Sequence, residues 1–310
     1  MRDEPERGRA LKQQLPPPYD QDLSKVLRGL KRRRNPLSRR RQANDPVTAA
    51  YLAAAMRLVE RHLGPGATRI PDDPGDPDSI DRPLLSFLSQ RAVAREVDRN
   101  PSPFPRAGRI STMRERWEHQ SYFIADMLRF GLLASHYPAQ HQDEVADAED
   151  EVIRGPDPVR SLHRLCYWYM TRLLGTPAFR LELVAVAAAE GDPVIREAIF
   201  ERHRENRPLW RTFYDQVLGS RGLRLRPGIT PEDCGIILSA LADGLAMRAL
   251  GDSAAPVIDS ARRRCLFGTA ALMLAAGGVV RADDGDALPL EDAVRAIVNA
   301  TPADPGRKGE

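Results

Sequence analysis

Leu84-Leu-Ser-Phe-Leu-Ser-Gln-Arg-Ala-Val-Ala-Arg-Glu-Val97 and Ile110-Ser-Thr-Met-Arg-Glu-Arg-Trp117, parted by a proline-rich turn, decide how this chain reads. From Leu88 to Val97 the apolar spacing is that of a short helix. The second piece is another short helix ending on an aromatic residue. Behind it, Tyr122, Phe123, Ile124, Met127 and Leu128 repeat at the period of a third helix. Two short helices, a turn and an aromatic latch onto a following helix are what a helix-turn-helix needs. The first helix braces, and the second offers hydroxyl and guanidinium groups to base edges and phosphates.

Roles follow from position. Arg91 and Arg95 lie on the bracing helix, while Arg109, Arg114 and Arg116 lie on or beside the reading helix. Ser111 and Thr112 stand where that helix begins, able to cap it or to donate to phosphate or a base edge. Arg114 is the candidate for a guanine contact, because guanidinium matches the two acceptors on guanine's major-groove edge. The alternative is an intrachain pair with Glu115 or Glu118. Trp117 reads as a latch against Phe123. His119 and Gln120 open the next helix, whose first free N–H groups suit a phosphate.

Working outward, residues 1–45 hold 13 Lys/Arg against 6 Asp/Glu, leaving 33 against 37 in the rest of the 310-residue chain. Lys25 to Arg41 carries nine cations, including Arg32, Arg33, Arg34, Arg39, Arg40 and Arg41, and no acid. So self-repelling a block suits a disordered arm over residues 1–44 that holds nucleic acid, or else a solubilising tail or an anionic-surface patch. A DNA-binding domain is expected over 45–135, starting with a helix from Asp45-Pro46 to about Leu63. Gly64 to Arg82 reads as an acidic loop. Asp143 to Glu151, with six carboxylates, is expected to be a solvated linker within 136–156.

From Asp157 the chain is a run of helices, roughly 158–174, 177–190, 193–218, 231–250, 256–277 and 289–299, with a disordered tail at 301–310. Asp157-Pro158, Thr176-Pro177, Asp192-Pro193 and Thr230-Pro231 each set a capping side chain before proline. No stretch alternates like a strand, so the fold class expected is all-α. Tyr167, Trp168, Met170, Phe179, Phe200, Trp210 and Phe213 either line a pocket for a small apolar ligand or fill a core. The small residues Ala240 and Gly244, with Gly268, Ala271 and Ala275 on the next helix, permit close helix contact. Two such helices per copy predict a homodimer seam.

Several classes find no motif: there is no HExxH, GxSxG, P-loop or dinucleotide fingerprint, and the six histidines are scattered. No enzyme activity, cofactor or metal is expected. Cys166, Cys234 and Cys265 are widely spaced and read as buried cytosolic thiols. The polar, basic start has no signal-like apolar run. The apolar run Cys265 to Val280 is short for a bilayer, so the expectation is a cytoplasmic protein with no membrane partner.

Ala94, Ile110-Ser111, Trp117 and Phe123 together resemble the TetR family of bacterial transcriptional regulators. Asp192-Pro-Val-Ile-Arg-Glu-Ala198 and Leu241-Ala-Asp-Gly-Leu-Ala-Met-Arg-Ala-Leu250 are also similar to that family, so the likeness spans roughly 45–300. It differs in a turn longer by about ten residues (Arg99 to Arg109, with Pro101, Pro103 and Pro105). The family's Gly-Thr-Leu-Tyr is missing, and its phosphate-binding lysine is replaced near His119-Gln120. The resemblance implies a homodimeric regulator, a repressor by preference, binding operator double-stranded DNA and released by a small apolar inducer. The alternative is a helical dimeric scaffold whose long turn disables the motif and whose arm binds anionic surfaces indiscriminately.

Overall fold

The structure, a computed structural model, describes residues 12–31, 35–65, 85–132 and 139–299. Arg32, Arg33 and Arg34, most of the acidic loop 64–82 and the tail 301–310 therefore lie outside the described residues. The described chain is mostly helical, and several helices start at the Pro junctions that the sequence marks. Asn35 caps α1 (Pro36–Ala43) and Asp45 caps α2 (Pro46–Leu63), each with proline in the first turn. Then come α3 (Gln90–Val97), α4 (Ile110–Arg116), α5 (Gln120–Gly131), α6 (Ala139–Arg154), α7 (Pro158–Gly175), α8 (Pro177–Ala188) and α9 (Pro193–Ser220). The last helices are α10 (Pro231–Gly251), α11 (Leu266–Gly278) and α12 (Leu290–Val298).

Strands are the first departure from the sequence reading. Leu223–Leu225 (β1) pairs antiparallel with Val279–Arg281 (β4), and Ile258–Asp259 (β2) with Arg264–Cys265 (β3). The β2–β3 hairpin occupies the front of the expected 256–277 helix, which begins only at Leu266. Pairs this short leave no room for the alternation by which a strand is recognised in sequence.

Two compact units emerge. The first comprises residues up to 142 with 172–205, and the second 143–171 with everything from 206 on. One break, at 142/143, falls inside the stretch expected to be an acidic linker, but 172–205 returns to the first unit and the stretch is not a solvated linker. The stretch is helix α6, with Ala148 and Val152 packed on Leu165 and Glu151 paired to Arg164 at 2.7 Å. One apolar stripe sufficed to bury a helix that is otherwise densely acidic.

In the first unit α2 is the central member. Its face Ala50, Tyr51, Ala54, Leu58 and Val59 packs with Val93 and Val97 of α3, Met113 and Trp117 around α4, and Phe123, Met127 and Phe130 of α5. The described part of the basic arm is built into this core, which corrects the expectation of disorder there. Leu23, Leu27 and Leu30 are buried beside Trp117 and Phe123, and Leu15 packs with Ala49, Ala53 and Phe104. Their charged neighbours point outward while the leucines, spaced four and three apart, form an apolar edge. In the second unit α10 and α11 pack together, and Ala242 and Ala246 of α10 and Ala271 of α11 are buried.

Candidate nucleic-acid interface

The reading helix expected at Ile110–Trp117 is α4, seven residues ending before Trp117. Met113 and Trp117 are fully buried and fix its inner face. Trp117 meets Phe123 edge-on at 5.0 Å, as the latch requires. Ser111, Arg114 and Glu115 are exposed on the outer face. Arg114 donates from Nε to Gln90 Oε1 at 2.9 Å, tying α4 to the first turn of α3. No ion pair engages Arg114 among the described residues. The expected pairing with Glu115 or Glu118 does not form there.

The twelve residues between α3 and α4 are fastened at several points. Asn100, fully buried, donates to Ala50 O and Pro105 O at 3.1 and 3.0 Å and accepts from Arg57 at 2.6 Å. Phe104 is buried against Tyr19, ring centroids 5.0 Å apart. Gly108 donates to Asp98 at 2.9 Å and lies so close to Ala94 O that a Cβ has no place there. The Tyr51 hydroxyl takes both Arg109 N–H (2.8 Å) and Arg109 C=O (2.7 Å), setting the entry to α4. Below, Glu96 is buried and meets Arg57, Arg61 and Arg99. Burial alone would push its carboxyl up, but the Arg61 and Arg57 guanidiniums outweigh that and hold it below the usual range.

The far end of α4 is held by the arm. Lys31 N–H donates to Arg116 O at 2.7 Å, and Gln42 Nε2 to Glu115 O at 3.2 Å. These are carbonyls that a helix end leaves without an intrahelical partner, so the arm acts as its carboxy-terminal cap. Behind it, the buried Asp126 accepts from Arg28 N and Gly29 N at 2.8 Å, Trp117 Nε1 at 2.9 Å and Arg129 at 3.1 Å. Burial pushes its carboxyl up to about 6, against the pull of those donors. A Cβ on Gly29 would sit 2.5 Å from Tyr122 O, so the arm's approach to α5 requires glycine. Arg28 and Arg129 both reach Glu201 of α9, at 2.7 Å each.

Several expected DNA contacts prove to be internal. Arg116 is buried, bonded to Thr48 Oγ1 and Asp45 at 2.9 Å each, because the start of α2 faces its side of α4. Gln120 spends its amide on Leu88 O, and Thr112 is half-buried. Arg40 pairs with Asp22 at 2.8 Å, and Arg39 donates to Arg28 O at 2.9 Å. Arg91, Arg95, Arg109, His119, Lys31 and Arg41 are exposed and, among the described residues, form no ion pair. Lys31, which the sequence reading passed over singly, sits at the foot of α4, a placement set by a backbone bond and thus silent in sequence.

The expected ligand residues are divided between the two units. Phe179 is buried in the first unit, and Phe200 there is half exposed under the Arg204 guanidinium. In the second unit Trp210 packs with Tyr169, Phe213 and Tyr214 at 5.8–6.3 Å, while Tyr167 lies against Trp168 and Met170 is fully buried. These rings contact one another while each stays half-exposed. Of the seam residues, Ala240 and Gly244 are exposed on α10. Gly268 and Ala271 are buried, and a Cβ at Gly268 would lie 2.7 Å from His163 Nδ1. Those two small residues serve packing of α11 within the chain, and Ala275 is only partly covered. The uncovered side of α11 carries Leu266 and Met273 instead. No protein-family model, no curated protein and no solved structure matches this chain.

Proposed function

We propose that the protein is a homodimeric DNA-binding regulator that reads double-stranded DNA through α4, in the manner of the TetR-like regulators its sequence resembles. The observation that carries this reading is the mounting of α4. A seven-residue helix is too short to hold itself in water. Here it is rooted by Met113 and Trp117, entered through Tyr51 and capped by Lys31 and Gln42, with Ser111 and Arg114 left facing solvent. Glu115 beside them is an acceptor suited to the amino edge of cytosine. Exposed Arg91, Arg95, Arg109, Lys31 and Arg41 surround the helix as phosphate partners.

The scaffold alternative rests on a long turn that disables the motif, and against it stands the fastening of residues 98–109, which holds α4 in place despite that length. A regulator needs a mate to address two half-sites. The exposed stripe Ile236, Ala240, Gly244 and Met247 on α10, with Leu266 and Met273 on α11, suits a second copy about a two-fold axis. An apolar effector is not needed by this reading.

The test is fluorescence anisotropy with labelled duplexes, comparing wild type with Arg114→Ala on a selected site and on random sequence. Arg114 is exposed, so its loss leaves the fold intact. The expected outcome is a loss of about 1–3 kcal/mol on the selected site and little change on random duplex. Equal losses on both would remove α4 as the reading element.

A further inference from the structure

The carboxy-terminal end carries an apolar surface larger than the α10–α11 stripe. Fifteen large apolar side chains are exposed among the described residues, and eleven of them fall between Ile236 and Val298. Scattered exposed leucines are ordinary, but a concentration of this kind marks a surface meant to be covered. The extreme case is α12, with no buried residue. Leu290, Val294, Ile297 and Val298 recur at i, i+4, i+7 and i+8, one helix face, with Ile297 and Val298 about three-quarters exposed. A nine-residue helix is marginal in water, so that face requires a partner to persist.

The base of α12 is fixed. Arg226 donates from Nε to Gly277 O at 2.7 Å and from Nη1 to Leu288 O at 2.9 Å, so one guanidinium joins the end of α11 to the approach of α12. Arg224 holds Asp284 O at 2.7 Å. The approach to α12 is thus anchored at the end of α11 while the apolar face of α12 stays bare.

We infer that a second copy of this chain covers that face: in the dimer each α12 lies on the partner, extending the α10–α11 seam. The inference rests on the dimer part of the proposed function and not on DNA recognition. Among the described residues no element covers that face. The eleven residues after Asn299 contain no Leu, Ile, Val, Met or aromatic residue. The other segments outside the described residues hold only Met1, Leu11, Ile70, Ile80, Leu84, Leu133 and Tyr137 as large apolar residues, scattered among Pro, Asp and Arg. A membrane surface fits less well. The polar side of α12 pairs Arg295 with Asp292 at 2.6 Å and Glu291 at 3.4 Å, whereas an interfacial helix needs an excess of Lys and Arg. α10 is long and apolar enough to cross a bilayer, yet it carries Asp243 and Arg248 and packs along α11.

The experiment is sedimentation equilibrium on the full-length protein, paired with hydrogen exchange over residues 290–298. Val294→Asp with Ile297→Asp alters only uncovered positions, so its circular dichroism and melting should match a folded protein. Wild type is expected to be a dimer, with exchange in α12 slowed as concentration rises. The α12 variant should dissociate at a concentration about 100-fold higher or more, with that protection lost. Met247→Asp with Met273→Asp should break the dimer as well. A dimer that resists the α12 change, with unaltered exchange, overturns the inference and leaves the seam standing. A monomer at every concentration overturns both, and so does a monomer that sediments with phosphatidylglycerol vesicles. Loss of DNA binding alone would bear only on α4.

Discussion

Asp126 shows how much of the design rests on a single side chain. Within the apolar pattern of α5 it looks like an interruption. In three dimensions it joins the arm at Arg28 and Gly29 to the Trp117 indole and to Arg129. Its partners lie up to 98 residues away, so no local pattern reports them. Its folded pKa is raised, so its charge is a cost at neutral pH, and the cost fades as acid protonates it in the folded state while the unfolded chain stays ionised. Wild type should therefore gain stability relative to Asp126→Asn as pH falls from about 7 to about 5. Thermal melts of the two proteins across that window read the difference, in which every other titrating group cancels. A difference that stays flat, or that shrinks on acidification, would contradict the assignment.

At the scale of elements, the arm and α4 form one device. The sequence shows nine cations between Lys25 and Arg41, and that charge suggests a loose tail. The spacing of Leu23, Leu27 and Leu30 is the counter-signal, and it outweighs the charge because cations can stay in water while leucines cannot. Leu27 is fully buried, so Leu27→Ala should cost about 2–5 kcal/mol in chemical denaturation. An arm detached from the core would show no change. The same substitution should loosen the cap that Lys31 places on α4, so binding should fall on all duplexes in step with stability.

Much of the helical framework was legible beforehand, because capping residues before Pro46, Pro193 and Pro231 state where helices begin; a helix also starts at Pro177, although the Thr176 hydroxyl donates to Arg172 O and does not cap it. The latch of Trp117 on Phe123 was legible too, being a contact over six residues. What escaped were features set at long range. Arg116 is one cation among many in sequence, and only the approach of Thr48 and Asp45 makes it internal. Gly268 reads as a seam residue until His163 is seen beside it. The β2–β3 hairpin is too short to carry a period of its own.

At the scale of the whole molecule, charge and apolar surface are separated along the chain. Cations concentrate in the first 45 residues, whose described part packs into the unit bearing α4, while uncovered apolar side chains, among the described residues, concentrate between Ile236 and Val298. A phosphate-facing surface and a self-associating surface are the two requirements of a dimeric reader of duplex DNA. Selection of binding sites from a pool of random duplexes tests that claim most directly. The account predicts enrichment of a two-fold symmetric site by the wild-type protein, and loss of the conserved guanine positions when Arg114→Ala replaces it. A pool that stays random, or one that enriches the same site with and without the arginine, would contradict it.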